Sequence, residues 1–285
     1  MAEKLIENVS DTARWVAVYR AMESERPDAL FHDPYAKQLA GERGNAIVRD
    51  MRQAKALAWV MIVRTAVMDE LIGRCIEEGF DTVLNLAAGL DVRPYRLQLP
   101  PELLWIEVDL PEILTYKEEI LADAKPVCRF ERVKLDLADR PGRQALFARV
   151  AGLGRRVLVV SEGLLVYLDA SAVAELAADL RAPATFERWL FDLASPTVLK
   201  RMEKTWGKHV AAGNAPFRFG PEEWVDFFTP YGWKLETYRS IWDESFRLKR
   251  TIAFGKFFQL MNRISSRKRQ EIVHKMSTLV MLERA

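Results

Sequence analysis

The sequence predicts an α/β fold: a mostly parallel, seven-stranded sheet covered by helices on both faces. Between residues 80 and 195, short apolar runs alternate with helical segments, a rhythm typical of parallel strands joined by right-handed crossovers. Residues 1–79 show helical periodicity and form a helical cover before the first strand. After Ser195 the alternation gives way to a mainly helical segment and two further strand candidates. A final antiparallel pair of strands is compatible with this pattern.

The elements follow one another in a simple order. Two long helices come first, separated by a turn and a short helix that Asp33-Pro34 opens. Gly79 is placed to end the second long helix, and Pro111 suits the first turn of a later one. The long helices are expected at 10–30 and 54–79, and the strands at 81–89, 103–110, 128–137, 155–163, 185–195, 234–241 and 278–285.

No repeat and no Gly/Ser-rich or Pro-rich linker divides the 285 residues, a length that suits one large α/β domain. We expect a single domain over 1–285. Its expected parts are a helical cover (1–79), a ligand-binding core (80–195), a helical lid with the substrate region (196–250), and a C-terminal helix with the last strand (251–285).

Composition excludes several classes of protein. Hydrophobic content of 49% and charged content of 29% are ordinary for a globular chain. A net charge of +2 gives no overall attraction to nucleic acid, so no such partner is expected. The amino terminus shows no secretory signal, and no apolar run is long enough to span a membrane, so no membrane partner is expected. Cys75 and Cys128 cannot form a disulfide framework or a metal site, and we expect a cytoplasmic protein without metal.

The segment "TVLNLAAGLDVRPYRL", residues 82–97, predicts a ligand site. Ligands of open α/β sheets sit beyond the carboxyl ends of the strands. Gly89 ends the first strand, where a missing Cβ lets a ligand approach the backbone. Asp109 ends the second strand twenty residues later, a spacing that suits hydrogen bonds to ribose hydroxyls. The alternative is a plain turn glycine and an aspartate that caps the Pro111 helix.

The glycine motifs that are missing from the loop after the first strand indicate which kind of nucleoside ligand it can bind. A dinucleotide site uses G-x-G-x-x-G to bind a pyrophosphate, but "AAGLDVRP" holds one glycine, and no G-x-x-x-x-G-K-[ST] motif occurs. A ligand with ribose but no phosphate fits better, and S-adenosylmethionine is the common one. Asp136 is placed to accept from the adenine amino group and Leu137 to pack on the ring, while Glu162 lines the crevice near the methionine portion. Taken alone, Asp136 could instead be a loop aspartate that caps the next turn, and Glu162 could simply form part of a turn.

Five segments together resemble the leucine carboxyl methyltransferase family, in its bacterial branch of polyketide-type O-methyltransferases. The resemblance covers roughly the first 200 residues and implies a Rossmann-like class I methyltransferase. The family's usual Gly-Ala-Gly reads Ala87-Ala88-Gly89 here, and Ala87 is expected to cost little if its φ is negative. The segments are "SDTARWVAVYRAMESERPDALFHDPYAKQLAG", "VRTAVMDELI", "NLAAGLDVRPYRL", "IEVDLPEIL" and "SEGLLVYL".

The resemblance also implies that arginines from the N-terminal helices meet the cofactor carboxylate. The matching positions are Arg20 and Arg64, and a guanidinium suits a carboxylate because it can bind both oxygens. Arg64 follows the apolar run "AWVMIV", so it is the stronger candidate for burial. The expected cofactor-binding residues are Arg20, Arg64, Ala88, Gly89, Asp109, Leu110, Asp136, Leu137 and Glu162.

The acceptor of the methyl group must be ionised. A hydroxyl acceptor needs a base near neutral pH, usually histidine, whereas a carboxylate is ionised already. Of the three histidines, His32 is expected to be structural and His274 solvated. His209 is the one base candidate, with a surface position as its alternative, and Tyr167 either bonds the acceptor or packs on the cofactor. So few bases favour a carboxyl acceptor.

The region 196–250 is expected to select the acceptor. Its aromatic residues suit an apolar pocket or, alternatively, the core of a lid, and its cations could meet an anionic acceptor or face water. The aromatic residues are Trp206, Phe217, Phe219, Trp224, Phe227, Phe228 and Trp242; the cations are Arg201, Lys204, Lys208 and Arg218.

The prediction is therefore an S-adenosylmethionine-dependent O-methyltransferase that acts on a small, apolar, acidic acceptor. One alternative is an enzyme that methylates a protein C-terminal carboxylate in an open groove. Another is a cofactor-binding partner protein that has lost catalysis. An NAD-dependent oxidoreductase is disfavoured by the glycine pattern. A basic stretch at 247–275 holds nine Lys/Arg against one acid, and it fits a solvated face better than a nucleic-acid or membrane surface. The oligomeric state is not predicted.

Overall fold

The structure, a computed structural model, describes residues 9–50, 54–212, 216–252 and 254–285, and their side chains except at 9–10, 54–57, 206–212 and 256. Within these ranges the α-helices are α1 (Val9–Ser24), α2 (Ala36–Asp50), α3 (Ala54–Glu77), α4 (Arg93–Arg96), α5 (Pro111–Ile120), α6 (Arg140–Ala151), α7 (Ala170–Arg181), α8 (Pro196–Ala212), α9 (Ile241–Arg247), α10 (Gly255–Arg263) and α11 (Arg267–His274). Short 3-10 helices span Leu165–Tyr167 and Trp224–Tyr231. The strands are β1 (Thr82–Leu86), β2 (Leu104–Asp109), β3 (Arg129–Lys134), β4 (Val157–Ser161), β5 (Phe186–Ala194), β6 (Trp233–Ser240) and β7 (Ser277–Arg284).

The seven strands form one sheet in the order β3-β2-β1-β4-β5-β7-β6. The first five are parallel to one another, and β7 runs antiparallel to both β5 and β6. The predicted fold class is confirmed, including the antiparallel pair at the end of the chain. The strand order reverses between β1 and β4, and that reversal opens a crevice at the carboxyl ends of the strands.

The central strands are apolar on both sides because helices cover both faces of the sheet. Every residue of β1 is buried. Leu84 and Leu86 pack with Phe147 of α6 on one face, and Val83 packs with Val67 of α3 on the other. Alternate residues of a strand point to opposite faces, so one five-residue run contributes to two cores.

The N-terminal helices pack on one another and form a third cluster beside the sheet. Trp15 and Val18 of α1 contact this cluster together with Ile47 of α2 and Ile62 of α3. The short helix expected after Asp33-Pro34 is longer than predicted, because α2 continues to Asp50 through a kink at Gly41. Gly41 has φ +59°, and a residue without Cβ tolerates that conformation.

The C-terminal part differs most from expectation. Residues 216–223 are not helical, and the single helix expected within 251–285 is two helices, α10 and α11. The Ser266 side chain accepts a hydrogen bond from the Arg269 N–H and caps α11, which separates the two helices. Among the described residues no helix has the length and apolarity needed to cross a bilayer.

The loop after β1 carries backbone strain. Ala87 has φ +52° and Gly89 has φ +49°. The left-handed region is open to glycine but costs an L-residue about 1–2 kcal/mol. The condition under which Ala87 would cost little, a negative φ, is therefore not met. Ala88 has an ordinary φ and is buried.

We expect Ala87→Gly to keep or raise the free energy of unfolding, by up to about 1 kcal/mol, because glycine relieves the left-handed strain. The neighbouring control, Ala88→Gly, is expected to lower it by at least about 0.5–1 kcal/mol, because glycine there relieves no strain, adds chain entropy to the unfolded state and removes a buried methyl group. Urea denaturation of both variants and the parent measures the difference. Equal losses in the two variants would contradict the strain at Ala87.

Candidate active site

A cavity lies at the point where the strand order reverses. Its volume is about 770 Å³, within the range of about 300–1,000 Å³ found for sites of drug-sized ligands. Its floor is made by residues that follow the carboxyl ends of β1 to β5. Helices α1, α3 and α8 contribute the opposite wall. The position agrees with the general rule for open α/β sheets.

Ten of the eleven predicted site residues line this one cavity. They come from seven separate segments of the chain, and the fold brings them together. His209 lies in α8, but its side chain is outside the described residues, so its role as a base stays a prediction. The ten are Arg20, Arg64, Ala88, Gly89, Asp109, Leu110, Asp136, Leu137, Glu162 and Tyr167.

Asp109 joins the loop after β1 to the end of β2. One carboxylate oxygen, Oδ2, accepts from the Gly89 N–H at 2.6 Å, and Oδ1 accepts from the Leu110 N–H at 2.7 Å. Burial raises the pKa of Asp109, and these two N–H bonds oppose the rise without cancelling it. Each carboxylate oxygen keeps a lone pair, so Asp109 can still accept from a ligand.

Asp136 and Leu137 form the edge of the cavity after β3. The Asp136 carboxylate accepts from the Ala138 N–H at 2.9 Å, so the turn-forming alternative also holds at this residue. The Leu137 carbonyl accepts from Arg143 at 2.7 Å. Among the hydrogen bonds of the described residues, none uses the Leu137 N–H, and that group is available to a ring nitrogen.

Glu162, at the end of β4, is held by two arginines. Its Oε1 lies 2.9 Å from Arg64 Nε and its Oε2 lies 2.8 Å from Arg93 Nη1. Burial acts to raise the pKa of Glu162, but the charges of Arg93 and Arg64 outweigh burial and lower it. Arg64 also contacts Asp192 Oδ2 at 3.2 Å, and the other oxygen of Asp192 accepts from the Gly163 N–H at 2.6 Å.

Arg93 is the centre of this buried ionic network and is only 2% exposed. It lies 2.6 Å from Asp69 on α3 and 2.8 Å from Asp91 in the loop after β1, in addition to Glu162. Arg96 binds the second oxygen of Asp69 at 2.7 Å. The network therefore connects α3 and α4 with the ends of β1, β4 and β5.

Five members of the network were not predicted. Asp91, Arg93 and Arg96 lie inside the segment quoted for the ligand site, where an acid two residues before an arginine is a signal for a local ion pair. Asp192 interrupts the apolar run "WLFDLA", and a charge on a buried strand needs a partner. Asp69 gives no such signal, because on a helix it resembles any surface acid.

Arg20 is buried at the α1 wall. Its Nε lies 2.7 Å from Asp33 Oδ2, and its Nη2 donates to the Leu90 carbonyl at 2.6 Å. These two bonds fix the plane of the guanidinium, and none of the bonds formed among the described residues uses Nη1. Arg20 is thus positioned with one nitrogen left for a ligand.

Tyr167 lies in the 3-10 helix after β4. Its ring stacks on Phe217 with centroids 5.6 Å apart, and its hydroxyl hydrogen-bonds Thr12 of α1. Burial raises the pKa of Tyr167, and this effect outweighs the bond to Thr12 and the charge of Arg64. Tyr167 therefore keeps its proton at neutral pH.

The aromatic residues of 196–250 divide between two roles. Phe217, Phe219 and Trp242 line the cavity. Phe228 is fully buried in the sheet core, and Trp224 and Phe227 pack on that core, as the lid-core alternative predicts. The Trp206 side chain lies outside the described residues.

The cations and remaining histidines of the sequence prediction are placed as follows. Arg201 lines the cavity, whereas Lys204 and Arg218 are not among its described lining residues, and the Lys208 side chain is outside the described part. His32 is exposed. His274 contacts Asp243, so it is not simply solvated.

Comparison with known proteins agrees with this geometry. The model of the leucine carboxyl methyltransferase family matches residues 13–181. A candidate S-adenosylmethionine-dependent methyltransferase of Frankia alni is 34% identical over 243 residues, covering 80% of this chain and 83% of the relative. Another from Streptomyces coelicolor is 32% identical over 242 residues, covering 78% and 82%.

Solved structures support the fold. A DUF574 family protein from Streptomyces avermitilis has a TM-score of 0.60 at 15% identity and covers 96% of this chain and 97% of its own. An O-methyltransferase family protein from Burkholderia thailandensis has a TM-score of 0.53 at 17% identity, with coverage of 97% and 70%. Because the family model spans more than half of the chain, the protein belongs to the leucine carboxyl methyltransferase family and is an S-adenosylmethionine-dependent methyltransferase.

Proposed function

We propose that the protein methylates a carboxylate oxygen of a small apolar acid. The observation that carries this proposal is the chemistry of the cavity wall. No histidine is found among the described residues that line the cavity. The end of the cavity that would receive the acceptor, formed by Trp59, Val198, Met202 and Trp242, is apolar; we call it the acceptor end. A carboxylate acceptor is ionised at neutral pH and needs no base, whereas a hydroxyl acceptor would need one.

The described residues fit the cofactor. Asp109 keeps acceptor capacity for ribose hydroxyls, and the unused Leu137 N–H would donate to a nitrogen of the adenine ring. At Gly89 an added Cβ would come within 3.3 Å of Ala13 Cβ on a backbone of φ +49°, so only glycine keeps this approach open. Arg20 and Arg64 would meet the amino-acid end. When bound, the cofactor supplies an electrophilic methyl group on a sulfonium.

Two acidic residues of the wall, Asp91 and Glu162, support a role in binding rather than in proton transfer. Burial raises the pKa of Asp91, yet Arg93, Lys117 and Arg96 outweigh it and lower the pKa to about 2. The pKa of Glu162 is lowered as well. Groups that stay ionised at neutral pH take up protons poorly there, so positioning is the main contribution available to the chain.

The acceptor end of the cavity supports an apolar acid. Trp59 of α3 lies edge-on to Trp242 with centroids 6.5 Å apart, and Val198 and Met202 of α8 complete an apolar wall. Arg201 lies one residue before Met202 on the same wall and is placed to meet an anionic group. Residues 218 and 219 hold this wall in place, because both N–H groups donate to the Val166 carbonyl.

Asp109→Asn is expected to weaken S-adenosylhomocysteine binding roughly 10- to 100-fold, since hydrogen bonds to a charged acceptor are worth about 1.5–3 kcal/mol. Asp81→Asn is the matched control: Asp81 also accepts from two backbone N–H groups, of Arg155 and Arg156, but precedes β1. Isothermal titration calorimetry compares them. Equal affinities in both variants would remove Asp109 from the cofactor site, and no binding to the parent protein would indicate a family member that has lost the cofactor.

Arg20→Lys is expected to weaken S-adenosylhomocysteine binding about tenfold, because the ammonium cannot keep the bonds to Asp33 and Leu90 while it contacts a carboxylate. Binding of 5′-methylthioadenosine, which lacks the amino-acid end, should stay unchanged. Calorimetry with both ligands separates a direct contact from general damage to the site. A parallel loss for both ligands is the result that would argue against a carboxylate contact.

The product is expected to be a methyl ester. With the methyl group of the cofactor labelled, a panel of apolar carboxylic acids and phenols is incubated with the protein, and alkaline hydrolysis then releases labelled methanol from esters but not from ethers. We also expect kcat/KM to stay constant from about pH 6 to pH 9, because a carboxylate of pKa about 4 is ionised throughout. Alkali-stable products with a rate that rises through about pH 6.5 would point to a hydroxyl acceptor and a histidine base.

A further inference from the structure

Helix α10 exposes a continuous apolar surface. Phe257, Phe258, Met261 and Ile264 follow at helical spacing, and Phe258 and Ile264 are 50% and 71% exposed. Phe254, directly before the helix, is 82% exposed, and Leu260 widens the stripe. A contiguous apolar patch of this kind on a protein surface marks an interaction site.

Helix α10 turns its polar side toward the body of the protein and its apolar side toward solvent, which is the reverse of an ordinary surface helix. Its polar residues Gln259 and Asn262 are half-buried, and they line a small hollow against Asp243 and His274. A surface helix normally turns its apolar side to the core. Here the polar side lines the hollow against the body, and the apolar side faces outward.

Exposed cations lie beside this apolar stripe. Arg263 ends α10, and Arg267, Lys268 and Arg269 form the first turn of α11. All four are exposed. Among the described residues none lies within ion-pair distance of a carboxylate, although the charge of Arg267 helps to lower the pKa of Glu271. By contrast, Arg247 pairs with Glu70 and Arg250 with Glu23. The basic stretch 247–275 therefore contains both cations that form ion pairs and cations that do not.

We propose that α10 and α11 dock on an anionic membrane surface, with the α10 stripe inserted at the interface. An interfacial helix combines phenylalanine and leucine on one side with lysine and arginine around it, and each cation near an anionic leaflet contributes to attraction. A second copy of the chain is disfavoured as the occupant, because a two-fold contact would bring the same free cations together. A nucleic acid would meet the cations but leave Leu260, Met261 and Ile264 in water.

The docked surface adjoins the acceptor end of the main cavity. Trp242 lines both that cavity and the hollow beneath α10. An apolar acid that partitions into a membrane would therefore be concentrated beside the wall that receives it. Surface docking of this kind departs from the sequence expectation that no membrane partner is involved, and it does not require a spanning helix.

The test is flotation of the full chain with vesicles of phosphatidylcholine alone or of phosphatidylcholine with phosphatidylglycerol. The parent protein is expected to bind the anionic vesicles, and more weakly at high salt. Lys268→Gln with Arg269→Gln is expected to lower the partition constant about 30-fold, and Phe257→Asp with Phe258→Asp at least about tenfold. Leu153→Asp is the matched control, because Leu153 is 50% exposed and lies at the end of α6; this variant should bind as the parent does.

Circular dichroism and S-adenosylhomocysteine binding check that every variant is folded. Failure of the folded parent protein to bind anionic vesicles overturns the proposal. So does unchanged binding by Phe257→Asp with Phe258→Asp. Light scattering that shows a dimer of the parent and a monomer of that variant, without vesicle binding, would assign the surface to a second copy instead.

Discussion

The cavity depends on a group of charges buried at the carboxyl edge of the sheet. Arg93 contacts three carboxylates, those of Asp69, Asp91 and Glu162, and each belongs to a different part of the chain. Removal of one partner from such a group leaves an uncompensated buried charge, which costs several kcal/mol. The positions of α3, α4 and the ends of β1 and β4 relative to one another therefore depend on the same group of ion pairs.

The fold was predictable because its signals are local and repeated. Buried strands such as β1 and β4 appear as short apolar runs, and their alternation with helices implies parallel neighbours. Some helices differ from the prediction for local reasons that hydrophobic periodicity does not reveal. The start of α11 is set by the cap of Ser266, and the extension of α2 requires one glycine to adopt a positive φ.

The site was predictable to the extent that its residues follow strand ends. Gly89, Asp109 and Glu162 each occupy such a position, so the sheet rule places them together. Asp69 is found only through its partner, because the pairing of Arg93 with Asp69 depends on tertiary contacts. Asp192 interrupts an apolar strand and so indicates a buried partner, but only the fold shows that this partner is Arg64. Helix α10 shows the same limit: periodicity reveals an amphipathic helix but not which side turns to solvent.

The ionic network joins four carboxylates, those of Asp69, Asp91, Glu162 and Asp192, to three guanidinium groups, those of Arg64, Arg93 and Arg96. One negative charge remains uncompensated within this set. An excess of carboxylates attracts a positively charged group more strongly than a neutral one. We therefore expect this wall to favour a sulfonium over the thioether that remains after methyl transfer, although the two molecules have nearly equal shapes.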